Sequence, residues 1–177
     1  ALLNNINTLI KAVDGGDGGS PTHAVKVNKQ SKPQNPIAIP DNSRQGISDA
    51  IKISQKGVVD DVSVSVNIPD HTYRGDIELE LRGPNGETVK WQEADGDSAK
   101  GLSKTYDVRR SDLSKFIGSK ADGNWTLTVR DLAGRDVGHL SDWSIDLSVR
   151  QGAGHTSVPK TSKPNRSIDD YKTIEDT

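Results

Sequence analysis

The stretch VVDDVSVSVNI at residues 58–68 decides the fold. Val62, Val64, Val66 and Ile68 fall on one side of an extended chain, and Ser63, Ser65 and Asn67 fall on the other. That period of two marks a strand buried on one face and wet on the other. The alternation returns at Ile77, Leu79 and Leu81 against Glu78 and Glu80. It returns again at Trp125, Leu127 and Val129 against Thr126 and Thr128, and at Trp143, Ile145, Leu147 and Val149 against Ser144, Asp146 and Ser148. Between these runs stand IPD (68–70), RGPNG (82–86), ADGN (121–124) and AGRD (133–136), all rich in residues that reverse a chain. Weaker strands are predicted at 47–54, 87–92 and 104–109, with one helical turn within 110–117. Many short strands at this spacing specify an all-β protein, an antiparallel β-sandwich or jelly roll. With one Phe and three Trp in 177 residues, Trp125 and Trp143 must supply much of the core, and truncating either to Ala is expected to cost about 3–5 kcal/mol.

Away from this region the pattern fades. Residues 1–13 carry Leu2, Leu3, Ile6, Leu9, Ile10 and Val13 at helical spacing, a stripe too short to be stable alone. The run DGGDGGS at 14–20 reads as a flexible linker, and a single calcium-binding glycine-rich repeat would need tandem copies that do not follow. Lys26 to Pro36 is polar and basic, and 151–177 contains few apolar side chains, so neither is expected to offset the entropy of ordering. The expected organisation is an N-terminal flank and linker over 1–36, a folded unit over 37–150 and a disordered polar tail over 151–177.

Composition narrows the chemistry. The formal charge of -2, from 23 basic and 25 acidic side chains, gives no support for a nucleic-acid binder or a polybasic membrane anchor. No apolar run approaches the ~20 residues of a membrane helix. Without Cys there is no disulfide framework, thiolate nucleophile or Cys-based zinc site. Without an initiator Met, Ala1 is expected to follow an earlier segment of a longer product. Of the four histidines, His23 and His155 lie in the polar flanks, and no nucleophile elbow, zinc helix motif or phosphate loop accompanies any of them.

The acidic residues gather at turns beside strands. Asp70 and Asp76 bracket HTYRG, Asp95 and Asp97 lie in EADGDSA, and Asp131 and Asp136 enclose LAGR. Calcium takes six to eight hard oxygens from such loops, but Asp also favours turns on its own account, and both readings stand. Arg74-Gly75-Asp76 spells an adhesion tripeptide, which a turn into the strand at Ile77 explains better. Asn124-Trp125-Thr126 and Asn165-Arg166-Ser167 are glycosylation sequons that matter only in a glycosylating host.

Four motifs in order resemble one known family. VSVNI (64–68) followed by HTYRGDI (71–77), then ELRGPNGET (80–88), DGNWTLTVRD (122–131) and GHLSDWSIDL (138–147), are similar to the P-domain, or Homo B domain. Pro69 and Asp70 depart from that family, where the strand runs straight into the histidine, and a small insertion or bulge is expected there. The resemblance implies an eight-stranded jelly roll C-terminal to a subtilisin-like serine protease domain of the same parent chain, in a secreted and calcium-dependent enzyme. It implies a non-catalytic, monomeric module that stabilises or regulates its protease. Asp76, Asp131 and Asp136 match acidic positions of the motif and become the expected calcium ligands, and His71 matches a histidine read as structural, packed under Tyr73. No catalytic residue is implied. The second reading is a carbohydrate- or protein-binding jelly roll of another secreted protein, with Trp91 or Tyr106 on its face.

Overall fold

The computed structural model describes residues 23–92, 98–109 and 111–151. The expected helical stripe at 1–13, the glycine linker, the tail from 152 onward, Asp95 and Asp97, and the sequon at Asn165 lie outside the described residues. Ten strands follow in order: β1 Ala24–Ser31, β2 Ile37–Ile39, β3 Ile47–Ile53, β4 Val58–Ile68, β5 Ile77–Arg82, β6 Thr88–Gln92, β7 Leu102–Asp107, β8 Gly123–Asp131, β9 Gly138–Leu140 and β10 Asp142–Arg150. Two four-stranded sheets, β1-β10-β4-β7 and β3-β8-β5-β6, are joined by the small β2-β9 pair, and every pairing is antiparallel. Each run of alternating side chains found in the sequence is a strand, and the weaker ones at 47–54, 87–92 and 104–109 are β3, β6 and β7. The predicted helical turn is a short 3-10 helix, Asp112–Phe116.

The alternation decides what is buried. Val62, Val64, Val66 and Ile68 of β4 meet Ile145, Leu147 and Val149 of β10, and Leu79, Leu81, Leu127 and Val129 supply the other sheet's inner face. Trp125 and Trp143 are both fully buried. Each tryptophan still satisfies its indole N–H. Trp125 Nε1 donates to the Ala121 carbonyl at 2.8 Å, and Trp143 Nε1 donates to Asp49 Oδ2 at 2.7 Å. The second bond crosses from β10 to β3 and ties the two sheets at one edge.

Two sequence expectations need correction. The folded unit does not begin at 37. β1 lies inside the expected N-terminal flank and pairs with β10 along its whole length, from Ala24 opposite Arg150 to Ser31 opposite Trp143. Its side chains do not mark it as a strand, because an outermost strand is held by its backbone ladder, and of its residues Val27 alone is an apolar side chain packed on the core. Of the small insertion or bulge expected at Pro69-Asp70, the bulge is not there. β4 ends at Ile68 and those two residues form a turn, while the register shifts between Ser148 and Val149, where Asp60 is the extra residue.

Candidate functional site

Two loops meet at the end of the sandwich where β4 finishes: residues 69–76, leading into β5, and 132–137, between β8 and β9. His71 and Asp131 lie beneath them, both fully buried. The Tyr73 backbone N–H donates to His71 Nδ1 at 3.3 Å, so the ring proton sits on Nε2, which donates to Asp131 Oδ2 at 3.2 Å. The other Asp131 oxygen accepts the Ala133 N–H at 3.1 Å, and its main-chain carbonyl accepts the Ser43 N–H at 2.8 Å. Gly138 closes over the ring, and a Cβ there would stand 2.7 Å from His71 Cδ2. With both ring nitrogens and both carboxylate oxygens engaged inside the fold, this pair locks two loops together. It has no free position from which to move a proton to a substrate.

Around the lock stands a more exposed set. The Thr72 hydroxyl donates to Asp136 Oδ1 at 2.5 Å and accepts the Val137 N–H at 3.3 Å, while the Asp76 carbonyl accepts the Leu132 N–H at 2.9 Å. Burial, then the neighbouring charges of Asp131 and Asp136, raise the pKa of Asp76 above the ordinary carboxylate value, and His71 opposes the rise only in part. Asp70 holds His139 twice, accepting its backbone N–H at 2.8 Å and lying 2.6 Å from Nδ1. Burial acts to raise the Asp70 pKa, but the hydrogen bonds and charge of His139 outweigh it, and the pKa is lowered. Leu132 and Val137, two of the large apolar side chains left exposed among the described residues, sit on the second loop.

The three expected ligands therefore lie in one neighbourhood, in different roles. Asp76 and Asp136 remain part-exposed, while Asp131 points inward with its oxygens taken. Among the described residues, no group of three or more His, Asp or Glu side chains is arranged to hold a metal ion. Asp70 and His139 form a contact that the spacing did not reveal, although Pro69-Asp70 marked the position as unusual. Arg74-Gly75-Asp76 forms a 3-10 turn with Gly75 buried, so the tripeptide does not project as an adhesion loop. No helix among the described residues is long and apolar enough to cross a membrane.

The model of one family, the proprotein convertase P-domain, matches residues 59–147, from β4 to the body of β10 and through both loops. The chain belongs to the proprotein convertase P-domain family. Within this P-domain, His71, Asp76, Asp131, Asp136 and His139 all fall inside the matched region. The chain is 35% identical over 113 residues to leupeptin-inactivating enzyme 1 of Streptomyces exfoliatus and 36% identical over 110 residues to the transglutaminase-activating metalloprotease of Streptomyces mobaraensis. It is 31% identical over 114 residues to a calcium-dependent protease of Nostoc sp.. Each match takes in 62% of this chain but only 24%, 14% and 17% of the respective relative, so the chain spans a quarter or less of those proteins. Among solved structures, the Aeromonas sobria serine protease in complex with its chaperone superposes with a TM-score of 0.64 at 20% identity, over 73% of this chain and 28% of that one. At that identity the likeness is one of fold.

Proposed function

We propose that this P-domain is a non-catalytic accessory domain of a longer, secreted, calcium-dependent serine endopeptidase of the subtilisin kind, and that it stabilises or regulates the protease domain. The observation that carries the reading is one of proportion: a family match within a chain that spans a small fraction of relatives named as proteases. The His71–Asp131 lock supports a structural role for the pair that would otherwise suggest chemistry.

Calcium enters through the names of two relatives, both calcium-dependent proteases, and through the chemistry of the loops. Asp76 and Asp136 offer hard oxygens at part-exposed positions, and the pKa of Asp76 is raised first by burial and then by the charges of Asp131 and Asp136, the second of which a bound cation would offset. Asp131 supports these loops from beneath. Calcium would supply positive charge between the loops, with main-chain carbonyls and water completing its shell.

One observation favours a second reading, in which the parent is a metalloprotease: the Streptomyces mobaraensis relative carries that name. Labelling the full-length parent with a fluorophosphonate separates the two. A labelled, inactivated enzyme supports the serine protease. An unlabelled enzyme stopped by a zinc chelator and restored by zinc sinks it in favour of the metalloprotease. A parent without peptidase activity overturns both.

A further inference from the structure

The outer faces of the two sheets are chemically unlike. On β3-β8-β5-β6 the outward face carries a group of long, mutually neutralised side chains at its centre. Arg130 lies 3.1 Å from Glu78 and 3.4 Å from Glu80, and Lys90 lies 3.5 and 3.7 Å from the same carboxylates. On β1-β10-β4-β7 most outward side chains are short, with Lys26, Gln30 and Arg150 the long ones on β1 and β10. One row across all four strands reads Asn28, Asp146, Ser63, Asp107. The carboxylates here are held by amides: Asn28 donates to Asp146 at 2.5 Å, and Gln30 and Asn67 donate to Asp142 at 3.1 and 2.9 Å. An amide fixes a carboxylate without cancelling its charge. Among the described residues, no Lys, Arg or His pairs with Asp142 or Asp146. Short side chains also leave relief, and this face carries two shallow hollows of about 360 and 270 Å³, one bordered by Asp61 and Asp146 and the other by Asn67 and Asp142.

We propose that the outer face of the β1-β10-β4-β7 sheet is a transient docking surface for lysine- and arginine-rich polypeptides that are not part of this chain. Charge sets the sign of the partner: Asp61, Asp142 and Asp146 face outward, against Lys26 in the row of Asp61 and Arg150 at the end of β10, which already lies 3.3 Å from Asp60. Side-chain size makes burial cheap, because Ser, Thr and Asn lose little rotamer freedom. The absence of apolar side chains from these rows sets the lifetime: a permanent interface has an apolar centre, whereas a polar, charged one forms and parts quickly. A sugar partner is disfavoured because the aromatic rings of these strands, Trp143 and Tyr106, point into the core and leave no ring for a pyranose to stack on. Binding by this face is independent of the protease assignment. Its use, presenting basic polypeptides to an adjoining protease domain, rests on that assignment.

The test is a titration of the isotopically labelled chain, followed by amide chemical shifts, with hexa-arginine, hexa-glutamate and cellohexaose as probes. Expected are saturable shifts with hexa-arginine confined to β1, β10, β4 and β7, weakening as salt rises and about tenfold weaker in Asp142→Asn/Asp146→Asn. The spectrum itself reports whether that variant folds, and Asp61→Asn, at the rim, provides a second reading if it does not. Shifts centred on Asp76 and Asp136, shifts spread over every acidic side chain, no saturable response, or a stronger response to cellohexaose would each overturn the proposal. Hexa-arginine binding to this face in a chain whose parent proves to have no peptidase would leave the docking surface standing and remove only its use.

Discussion

At the level of single residues, His71 and His139 look alike in sequence, each beside an aspartate partner in space, yet their burial separates them. His71 is fully buried and its partner Asp131 equally so. Removing the imidazole strands a carboxylate where water cannot reach it, so His71→Ala should lose about 3–5 kcal/mol in urea-induced unfolding. The side chain of His139 is 45% exposed and that of Asp70 50%, so His139→Ala should lose under about 1 kcal/mol in the same assay. The two shifted aspartates tilt the pH profile in opposite directions. Asp70, with its pKa lowered, contributes stability that is present above the unfolded value near 3.8 and is lost as pH falls through its folded value. Asp76, with its pKa raised, favours folding while protonated, and that contribution disappears as pH rises from the unfolded value through the folded one. Asn in place of Asp76 keeps a donor for Asp136 and carries no charge. Asp76→Asn should therefore raise the calcium-free melting temperature at pH 7 and leave it unchanged at pH 3, as followed by circular dichroism. A drop at pH 7 would mean that the Asp76 charge is stabilising, against the raised pKa that its burial and its acidic neighbours give it.

Among the elements, β1 shows where pattern reading stops. Strands β4, β5, β8 and β10 were legible because their inner faces are continuous rows of apolar side chains, and a period of two survives translation from sequence to space. β1 reads as a polar flank because what holds it is invisible in side-chain composition: eight residues of backbone pairing with β10. Deleting residues 1–31 tests that account. The truncated chain should keep one cooperative transition and lose about 2–4 kcal/mol, the worth of a few net hydrogen bonds and two half-buried valines. An unchanged transition would show that β1 is dispensable, and loss of cooperativity that it belongs to the nucleus of the fold. The candidate site was legible to a different degree. Asp76, Asp131 and Asp136 are three of six acidic turn positions, singled out by the resemblance to the family motif rather than by their spacing, and in the fold Asp131 and Asp136 lie close enough to Asp76 to act on its charge. Their division of labour could not be read, because it depends on which carboxylate the fold turns inward to meet His71, a fact of three dimensions. Asp49 is the same kind of case, an acidic residue in a strand whose purpose, accepting the Trp143 indole N–H, appears only when the sheets are stacked.

For the whole molecule, the ladder between β1 and β10 places Ala24 opposite Arg150, so the chain enters and leaves the sandwich at one end. The other end, where Ser31 pairs with Trp143 and Asp142 with Asn67, carries the two loops and the acidic site. The acidic site is thus separated by the length of the sheet from the end where Ala24 and Arg150 lie, and the effect of a cation bound there is read as a change in the stability of the sandwich. A site held at a thousand times its dissociation constant adds about 4 kcal/mol. For a domain of this size that is a rise of more than about 10 °C in melting temperature. The transition of the present chain, followed in millimolar calcium and in excess chelator, should differ by that amount. The difference should shrink to near zero in Asp76→Asn and in Asp136→Asn, while Asp142→Asn/Asp146→Asn on the sheet face retains it in full. Identical transitions with and without calcium would remove the calcium assignment from this domain and confine any calcium dependence of a parent protease to its other parts. A difference that survives Asp76→Asn and Asp136→Asn together would place the ion at another set of oxygens.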